Sequence, residues 1–507
     1  MNIKKKILNK DKLVKLLKEQ KNKNKKIVLC HGVFDLVHLG HINHFKKAKE
    51  LGDILIVSVT KDNFIKKGYG RPYFNHYQRI KYLENLEIID YVYLCNSNSA
   101  SESIKLIKPD FYVKGSEYNN KIDDTGRIYY EKSLVKKYKG EIFYTNEEIF
   151  SSSNILNKNF PIFNKEQREF INNLKKSLSF ADITNILDKL KKLKILIIGE
   201  CIIDRYNFGT AVGKSAKYPY LTFQSKYRDD YLGGSLAIAR NLSSYVKNIS
   251  VICSFNKKDI NYFSNKIESK NVKLINFNIK NNFDTLVKER FVDKASGYKI
   301  FGNYSSSKIQ NDFFYEKLEN YLSIRCSKFD LVIVSDYSHG LLNINTSKTI
   351  CKKAKFLGIN CQLNSSNLGY HTVNNYKNYD LLVLNESELR QEFRDNSSKI
   401  EVLASKLLKK NNIENIIVTK GSEGVILVTK KNEKFKCPAF ANKVIDKVGA
   451  GDAILSLASV LKKIGSADEN LILFLSSIMS AKIIENYGNK ETIKLEEMKR
   501  FLEYTLK

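Results

Sequence analysis

Two stretches of this chain set glycines beside groups that can handle phosphate or a proton. Near the start stands Cys30-His31-Gly32-Val33-Phe34-Asp35-Leu36-Val37-His38-Leu39-Gly40-His41, and near the end Asp446-Lys447-Val448-Gly449-Ala450-Gly451-Asp452. His38 and His41 are three residues apart, so on the first turn of a helix they share a face and both can donate to phosphate oxygens as charge develops in a transfer. Gly40 between them lets a phosphate approach free backbone amides at the positive end of the helix dipole. Zinc is the rival reading, because four of the seven histidines (His31, His38, His41 and His44) fall in one 14-residue window. A zinc site would also want a carboxylate or thiolate in the same shell, and only Asp35 is near. At the other end, Gly449-Ala450-Gly451 again leads into an apolar helical run and offers amides to an anion. Asp452 at that mouth would repel a bound phosphate, yet it is well placed to accept the proton of an attacking hydroxyl. The first stretch suits transfer of a nucleotidyl group and the second transfer of a phosphoryl group.

The elements that must position these groups are legible as an alternation. Residues 11–22 predict an amphipathic helix, and Lys26-Ile27-Val28-Leu29-Cys30 a buried strand running into the His-rich turn. Short β-rich runs at 54–59, 91–94, 111–113 and 141–144 are separated by helical patterns at 42–51, 76–86 and 100–107, the spacing of parallel βαβ units. A first domain is expected over 1–158. Residues 159–190 carry a helical pattern after Pro161 and no strand, which predicts a connector. A second α/β series over 191–507 begins at Lys194-Ile195-Leu196-Ile197-Ile198-Gly199, with further strands expected at 248–253, 331–335, 380–384, 415–419 and 424–429. The polar β-rich stretches 209–226 and 285–304 predict a small antiparallel lid.

Length and composition agree with two α/β domains. A chain of 507 residues exceeds one ordinary core, its 43% hydrophobic and 27% charged residues are those of a globular protein, and no apolar run reaches the ~18 residues that span a bilayer. The basic start, Met1 to Lys6, lacks the apolar core and cleavage site of a signal peptide. Eight cysteines without a Cys-x-x-Cys pair argue for reduced thiols and a cytoplasmic location. The formal charge of +31 raises nucleic acid or anionic membrane as partners. Lysines are spread through every segment and no nucleic-acid module accompanies them, so anionic small substrates account for the charge, with neither nucleic acid nor membrane expected.

The N-terminal stretch resembles the cytidylyltransferase-like superfamily, in which a strand, a Gly-x-Phe-Asp turn and a His-x-Gly-His helix start form the nucleotide site. Arg79 in His76-Tyr77-Gln78-Arg79, Val113-Lys114-Gly115-Ser116-Glu117-Tyr118 and Phe150-Ser151-Ser152-Ser153-Asn154-Ile155 extend the resemblance over nearly the whole domain. The Lys-Gly-x-Glu-Tyr form is most similar to the adenylyltransferase part of bifunctional ADP-heptose synthases. The resemblance implies a Rossmann-like nucleotidyltransferase domain with Gly32, Phe34 and Gly40 at the nucleotide. His38 and His41 would stabilise the transition state at the α-phosphate, Lys114 and Arg79 would neutralise phosphates, and Ser151 and Ser152 would cap a helix and bind the triphosphate tail. Taken alone, Ser151 is equally an ordinary helix cap, Arg79 a solvated residue, and His31 and His44 packing groups.

The C-terminal series resembles the ribokinase-like (PfkB-type) carbohydrate kinases over roughly 190–495. Gly199-Glu200-x-x-x-Asp204, Tyr231-Leu232-Gly233-Gly234, Asn385-Glu386-Ser387-Glu388, Thr419-Lys420-Gly421-Ser422-Glu423-Gly424 and Asp446-x-x-Gly-Ala-Gly-Asp452 occur in that family's order. The resemblance implies a ribokinase-like α/β sandwich with a small β lid. In it Asp452 is the base, Gly449, Ala450 and Gly451 form the anion hole, and Asn385 with Glu388 order magnesium through water. Asp204, Gly233 and Gly234 would hold sugar hydroxyls, and Thr419 and Gly421 would lie beside the nucleotide.

Together the two resemblances imply a bifunctional sugar kinase and sugar-phosphate nucleotidyltransferase. It would use Mg2+ and ATP, with CTP open at the N-terminal site, to make an ADP-heptose-like nucleotide sugar for surface glycan or lipopolysaccharide. A homo-oligomer is expected. The chain departs from heptose kinases at Ala237, where they carry Asn, and at Gln362-Leu363-Asn364, where they carry Asp-Pro-Lys, and its domain order is reversed. An alcohol- or glycerol-phosphate cytidylyltransferase fused to a sugar kinase, and a non-catalytic regulatory relative, stand as alternatives.

Overall fold

Continuous apolar runs such as Ile195-Leu196-Ile197-Ile198, none of it exposed to solvent, form strands covered on both faces, the pattern of parallel sheets. The computed structural model describes residues 6–65, 72–115, 127–145, 163–277, 284–305, 312–364, 367 and 369–506. The chain divides into two compact units, Met1–Asn164 and Lys165–Lys507.

The first unit is built on six strands: β1 (Ile7–Leu8), β2 (Ile27–Gly32), β3 (Ile54–Thr60), β4 (Tyr91–Cys95), β5 (Phe111–Gly115) and β6 (Glu141–Thr145). Their order is β1-β4-β3-β2-β5-β6, and every pairing is parallel. Chain order reverses between β2 and β5, which opens a crevice at the carboxyl ends of those two strands. Gly32 ends β2 there, and Lys114 is the last residue but one of β5. Two apolar layers flank the sheet, one around Leu13, Leu29, Tyr112 and Val135 and the other around Val28, Phe45, Leu55 and Leu83. The helices expected at 11–22, 42–51, 76–86 and 100–107 are found at Lys10–Asn22, Leu39–Glu50, His76–Glu84 and Ser101–Ile107.

The second unit carries β7 (Lys194–Gly199), β8 (Cys201–Lys214), β9 (Leu221–Gly234), β10 (Asn248–Cys253), β11 (Val272–Asn276), β12 (Leu286–Asp293), β13 (Lys299–Ser305), β14 (Leu331–Asp336), β15 (Leu357–Cys361), β16 (Tyr379–Asn385), β17 (Ile413–Thr419), β18 (Val425–Thr429) and β19 (Lys434–Cys437). Nine of them form the main sheet in the order β11-β10-β7-β14-β15-β16-β17-β18-β19, and the last two join antiparallel. A second sheet, β13-β12-β8-β9, is the lid. It is mixed rather than antiparallel, because β8 and β12 pair in parallel. Both leave the carboxyl ends of parallel main-sheet strands, β7 and β11, and so set out in the same direction. Among the described residues, no helix is long and apolar enough to cross a membrane.

The segment read as a connector contributes the helices Lys165–Ser177 and Phe180–Lys189 to the second unit, while residues 159–162 lie outside the described residues. Ile171, Leu174, Ile183, Ile186, Leu187 and Leu190 are buried there. Gln167 donates to the Ala439 carbonyl, and Asp188 pairs with Lys499 at 2.9 Å. A fragment 165–507 is therefore expected to melt cooperatively and at a higher Tm than 191–507, which exposes the faces those aliphatic side chains cover. Equal melting temperatures in scanning calorimetry would remove these helices from the core.

Candidate functional site

The first site sits where β2 ends. The chain leaves Gly32, passes Phe34 in the left-handed region at φ 52°, and enters the helix Leu39–Glu50 with His38 as its N-cap residue. A β-carbon at position 32 would lie 3.0 Å from the Phe34 ring. Phe34 in turn meets His41 edge-on at 5.5 Å and Phe45 at 5.3 Å. The structure brings His38 and His41 together: their rings lie 3.9 Å apart, and the His38 amide donates to His41 Nδ1 at 3.4 Å. Burial holds the His38 pKa below its usual value.

The four histidines do not converge on one point. His31 lies against Ser58 Oγ at 3.1 Å and Thr60 Oγ1 at 3.3 Å, and burial pushes its pKa down to about 4, so it is neutral. His44 Nδ1 reaches Thr145 Oγ1 at 2.8 Å. Among the described residues, none of these imidazoles belongs to a group of three metal-ligating side chains.

Lys114, at the end of β5, pairs with Glu131 at 2.7 Å. Glu131 also accepts from the Tyr112 hydroxyl and the Ala100 amide, which fixes the ammonium near the end of β5. Arg79 departs from its expected role at phosphate. Its side chain is wholly buried and donates to the carbonyls of Phe74, Val33 and Thr60 and to Asp62 Oδ1. Four of a guanidinium's five N–H donors are thus committed to protein, and Arg79 ties together the loops that shape the Phe34 turn. Asp35 works beside it by accepting the Tyr73 and Phe74 amides, both at 2.9 Å. Ser151 and Ser152 lie outside the described residues, as does the Ser116-Glu117-Tyr118 part of its motif.

The second site centres on Asp452, in the first turn of the helix Ala450–Ile464. Asp452 is 7% exposed and accepts the Tyr337 hydroxyl at 2.9 Å. Burial pushes its carboxyl up to about 7, opposed by the Tyr337 hydrogen bond; the Asp204 charge adds to the rise and Lys288 counters it. Gly449 precedes the helix at φ 86°. The turn before it is anchored by Asp446, which pairs with Lys299 of β13 at 2.5 Å and accepts the Tyr206 hydroxyl of β8.

Asp204, on β8, pairs with Arg290 of β12 at 2.6 Å. Gly233 lies beside it on β9, where a β-carbon would stand 2.4 Å from the Asp204 carboxylate, and Gly234 has φ 59°. Asn385 and Thr419 end neighbouring strands in register, and Gly421 follows with open space where a side chain would project. Asn385 caps the helix Glu386–Phe393 by accepting the Glu388 amide, and Glu388 accepts from the amides of Asn385 and Leu363. Each carboxylate oxygen keeps a second lone pair, so the pair fits a cation's bound waters better than a bare ion. Burial raises the Glu388 carboxyl to about 7.

Three residues of this site, Lys288, Arg290 and Tyr337, were not named from sequence, and Glu200 was named only as part of its motif, without a role. Lys288 is buried with its ammonium 4.6 Å above the Tyr337 ring, and burial lowers its pKa against the pull of Asp204. Arg290 holds Asp204, and Tyr337 holds Asp452. Glu200 accepts the amides of Tyr337 and His339 and so fixes the turn that presents the tyrosine. The alternation Lys288-x-Arg290 in a strand, and Tyr337 immediately after β14, were the available signals.

Gly449 provides a sharp test of this geometry. A left-handed alanine costs about 1–2 kcal/mol by itself, and a β-carbon there would stand 1.7 Å from Asn489 Oδ1. Gly449→Ala is expected to lower the Tm of the second unit and to remove activity that depends on Asp452. A variant with wild-type melting and turnover would show that the turn has another shape.

The comparisons with known proteins follow this division. Residues 29–159 match the cytidylyltransferase-like family and residues 192–464 the pfkB family carbohydrate kinases. Proteins called bifunctional protein HldE are similar over the N-terminal part. That of Campylobacter jejuni (strain RM1221) is 38% identical over 160 residues, 31% of this chain and 32% of that protein. That of Helicobacter hepaticus is 44% identical over 121 residues, 24% and 25% of the two chains. The match thus spans about a third or less of these relatives' length. Among solved structures, phosphofructokinase-2 from Escherichia coli superposes with a TM-score of 0.51 at 14% identity, over 62% of this chain and 100% of that one, a likeness of fold. The pfkB match takes in more than half of the sequence and its strands, lid and Gly-Ala-Gly-Asp turn, and the chain belongs to the pfkB family of carbohydrate kinases.

Proposed function

We propose that the protein is a bifunctional transferase that phosphorylates a sugar and then couples a sugar phosphate to a nucleotide. The product is an activated, ADP-heptose-like nucleotide sugar of the kind that feeds surface-glycan or lipopolysaccharide synthesis in the cytoplasm. The observation that carries the reading is the buried Asp452 carboxylate, held by Tyr337 at a helix N-terminus and within electrostatic reach of the ion-paired Asp204 of β8. A carboxyl raised to about 7 is a matched general base for a sugar hydroxyl at neutral pH. Asp204, held by Arg290, and the Gly233-Gly234 backbone orient the sugar. The amides at Gly449 to Gly451 receive the transferring phosphate. Magnesium, when bound near Asn385 and Glu388, supplies positive charge to the nucleotide phosphates. At the N-terminal site, His38 and His41 donate to the α-phosphate, Lys114 neutralises charge, and pyrophosphate leaves. Incubation with ATP or CTP, magnesium and a panel of sugars and sugar phosphates, assayed for both phosphoryl transfer and pyrophosphate release, tests the reading and names the donor. Absence of both activities across the panel would favour a regulatory relative.

The base makes a pH prediction. Asp452 works as the carboxylate, so kcat/KM of the kinase step is expected to fall tenfold per pH unit as pH drops below about 7, far above the ordinary carboxylate range. Tyr337→Phe removes a hydrogen bond to the charged form and is expected to move that limb to higher pH. Asp452→Asn is expected to cost about 10²–10⁴ in rate while nucleotide still binds. A limb unmoved by the phenylalanine, or near-wild-type turnover of the asparagine variant, would take Asp452 out of this role.

For the N-terminal site, His38→Ala and His41→Ala are each expected to lower kcat by about 10²–10³ with little change in nucleotide affinity. Zinc content should be unaffected. Metal release with unfolding in either variant would make the histidine window a metal site instead.

A further inference from the structure

Beside the second site, the ends of β14 and β15 bring together three side chains that neither proposed reaction uses. Asp336 and Cys361 are the last residues of these adjacent parallel strands and stand in register. His371 closes over them from the following loop, its amide anchored on the Asn367 carbonyl. One ligand-capable atom from each of the three lies within 4.8 Å of the others, and His371 Nε2 is 3.7 Å from Asp336 Oδ2. All three are almost wholly withdrawn from solvent.

We propose that Asp336, Cys361 and His371 form a binding site for a zinc-class divalent cation, with a ligand set different from that of the magnesium of phosphoryl transfer. A thiolate, an imidazole and a carboxylate are the borderline donor set that favours zinc or cobalt over magnesium. Tetrahedral zinc needs nitrogen and oxygen ligand atoms roughly 3.3–3.5 Å apart, so a small inward movement of His371 Nε2, now 3.7 Å from Asp336 Oδ2, brings the pair to the required separation. The supporting contacts are those such a site needs. The Tyr376 hydroxyl donates to Asp336 Oδ2 at 2.8 Å and the Ser338 amide to Oδ1 at 2.9 Å, which fixes the carboxylate and leaves further lone pairs for a metal. A small cavity adjoins the trio, lined by Cys361, Leu363, His371, Glu388 and Glu392 among others, and none of its lining residues is Lys or Arg. Glu388 also belongs to the pair assigned to magnesium, so the cavity borders the second site, and it offers a fourth position for water. In the structure His371 Nε2 lies 3.2 Å from the Asp336 carbonyl. Metal binding exchanges this hydrogen bond for a coordinate bond, and the Cys361 proton is released to solvent. The proposal is independent of the kinase reading, because it concerns binding alone.

Cobalt(II) titration of the full-length protein in a non-chelating buffer with a phosphine reductant tests it. One equivalent is expected to produce a near-ultraviolet thiolate-to-cobalt charge-transfer band with tetrahedral visible bands, displaced by zinc and insensitive to millimolar magnesium. Cys361→Ser should lose the charge-transfer band, and His371→Gln should weaken cobalt binding by at least about tenfold. Zinc should raise the Tm of the wild-type chain, a readout that does not depend on either variant folding. A wild-type protein that shows neither the band nor the Tm shift overturns the proposal, as does a band that persists unchanged in Cys361→Ser. The trio would then be a hydrogen-bonded polar cluster.

Discussion

Keeping one carboxylate charged and dry governs the architecture of the second unit. Taking Asp452 out of water disfavours its charged form, and the surrounding structure supplies what offsets this. The helix N-terminus contributes partial positive charge, Tyr337 contributes a hydroxyl, and Lys288 contributes a nearby ammonium. Each of these has its own requirement. The helix can start there only because Gly449 adopts a positive φ, and the turn before it is held by Asp446 through Lys299 and Tyr206 of the lid. Tyr337 is aimed by Glu200, whose carboxylate takes two amides of the Tyr337–His339 turn. The lid is therefore part of the electrostatics around Asp452 as well as a cover, since its strands carry Lys288, Arg290 and Lys299 to three aspartates.

What the sequence revealed and what it hid follow from the range of the interactions involved. Strands with apolar runs, such as 194–199 and 331–336, were legible because both faces are buried and polarity drops over the whole segment. β15 was not, although it lies in the middle of the sheet. Gly358 and Asn360 interrupt its pattern for reasons that arise only in three dimensions. A β-carbon at 358 would stand 2.4 Å from Ser459 Oγ on the helix Ala450–Ile464, and Asn360 donates to the Val383 carbonyl of the next strand. β19, Lys-Phe-Lys-Cys, is short and half charged, so it reads as surface chain. The parallel pairing of β8 with β12 joins segments about eighty residues apart, and local pattern carries no information about it.

The glycine-flanked stretches were legible because each compresses its chemistry into a dozen residues. Their partners were not. Arg79 illustrates the difference: an arginine four residues into a helical segment reads as a surface cation, and only the fold shows its guanidinium turned inward onto three carbonyls and Asp62. The Phe34 turn needs that clamp because a bulky residue in the left-handed region is held there by its surroundings and not by its own preference. Asp35, bonded to the Tyr73 and Phe74 amides, fastens the other side of the same loop. A residue expected to touch phosphate thus shapes the turn beside it.

Each of the two units sets a glycine-flanked helix start beside its parallel sheet, yet they furnish those starts differently, and the proposed reactions explain why. A sugar phosphate attacking an α-phosphorus is already an anion, so nothing need remove its proton, and the useful groups are donors that follow charge onto the phosphate. The His38 and His41 rings, 3.9 Å apart, would be such donors, and Lys114 would add fixed charge. A sugar hydroxyl attacking a γ-phosphorus must lose a proton as it reacts, so a base is required at the place where anions are otherwise welcomed. That requirement accounts for a carboxylate in an anion hole. It also accounts for the burial that lifts its pKa toward neutrality, where it is basic enough to take the proton and still ionised when the hydroxyl arrives.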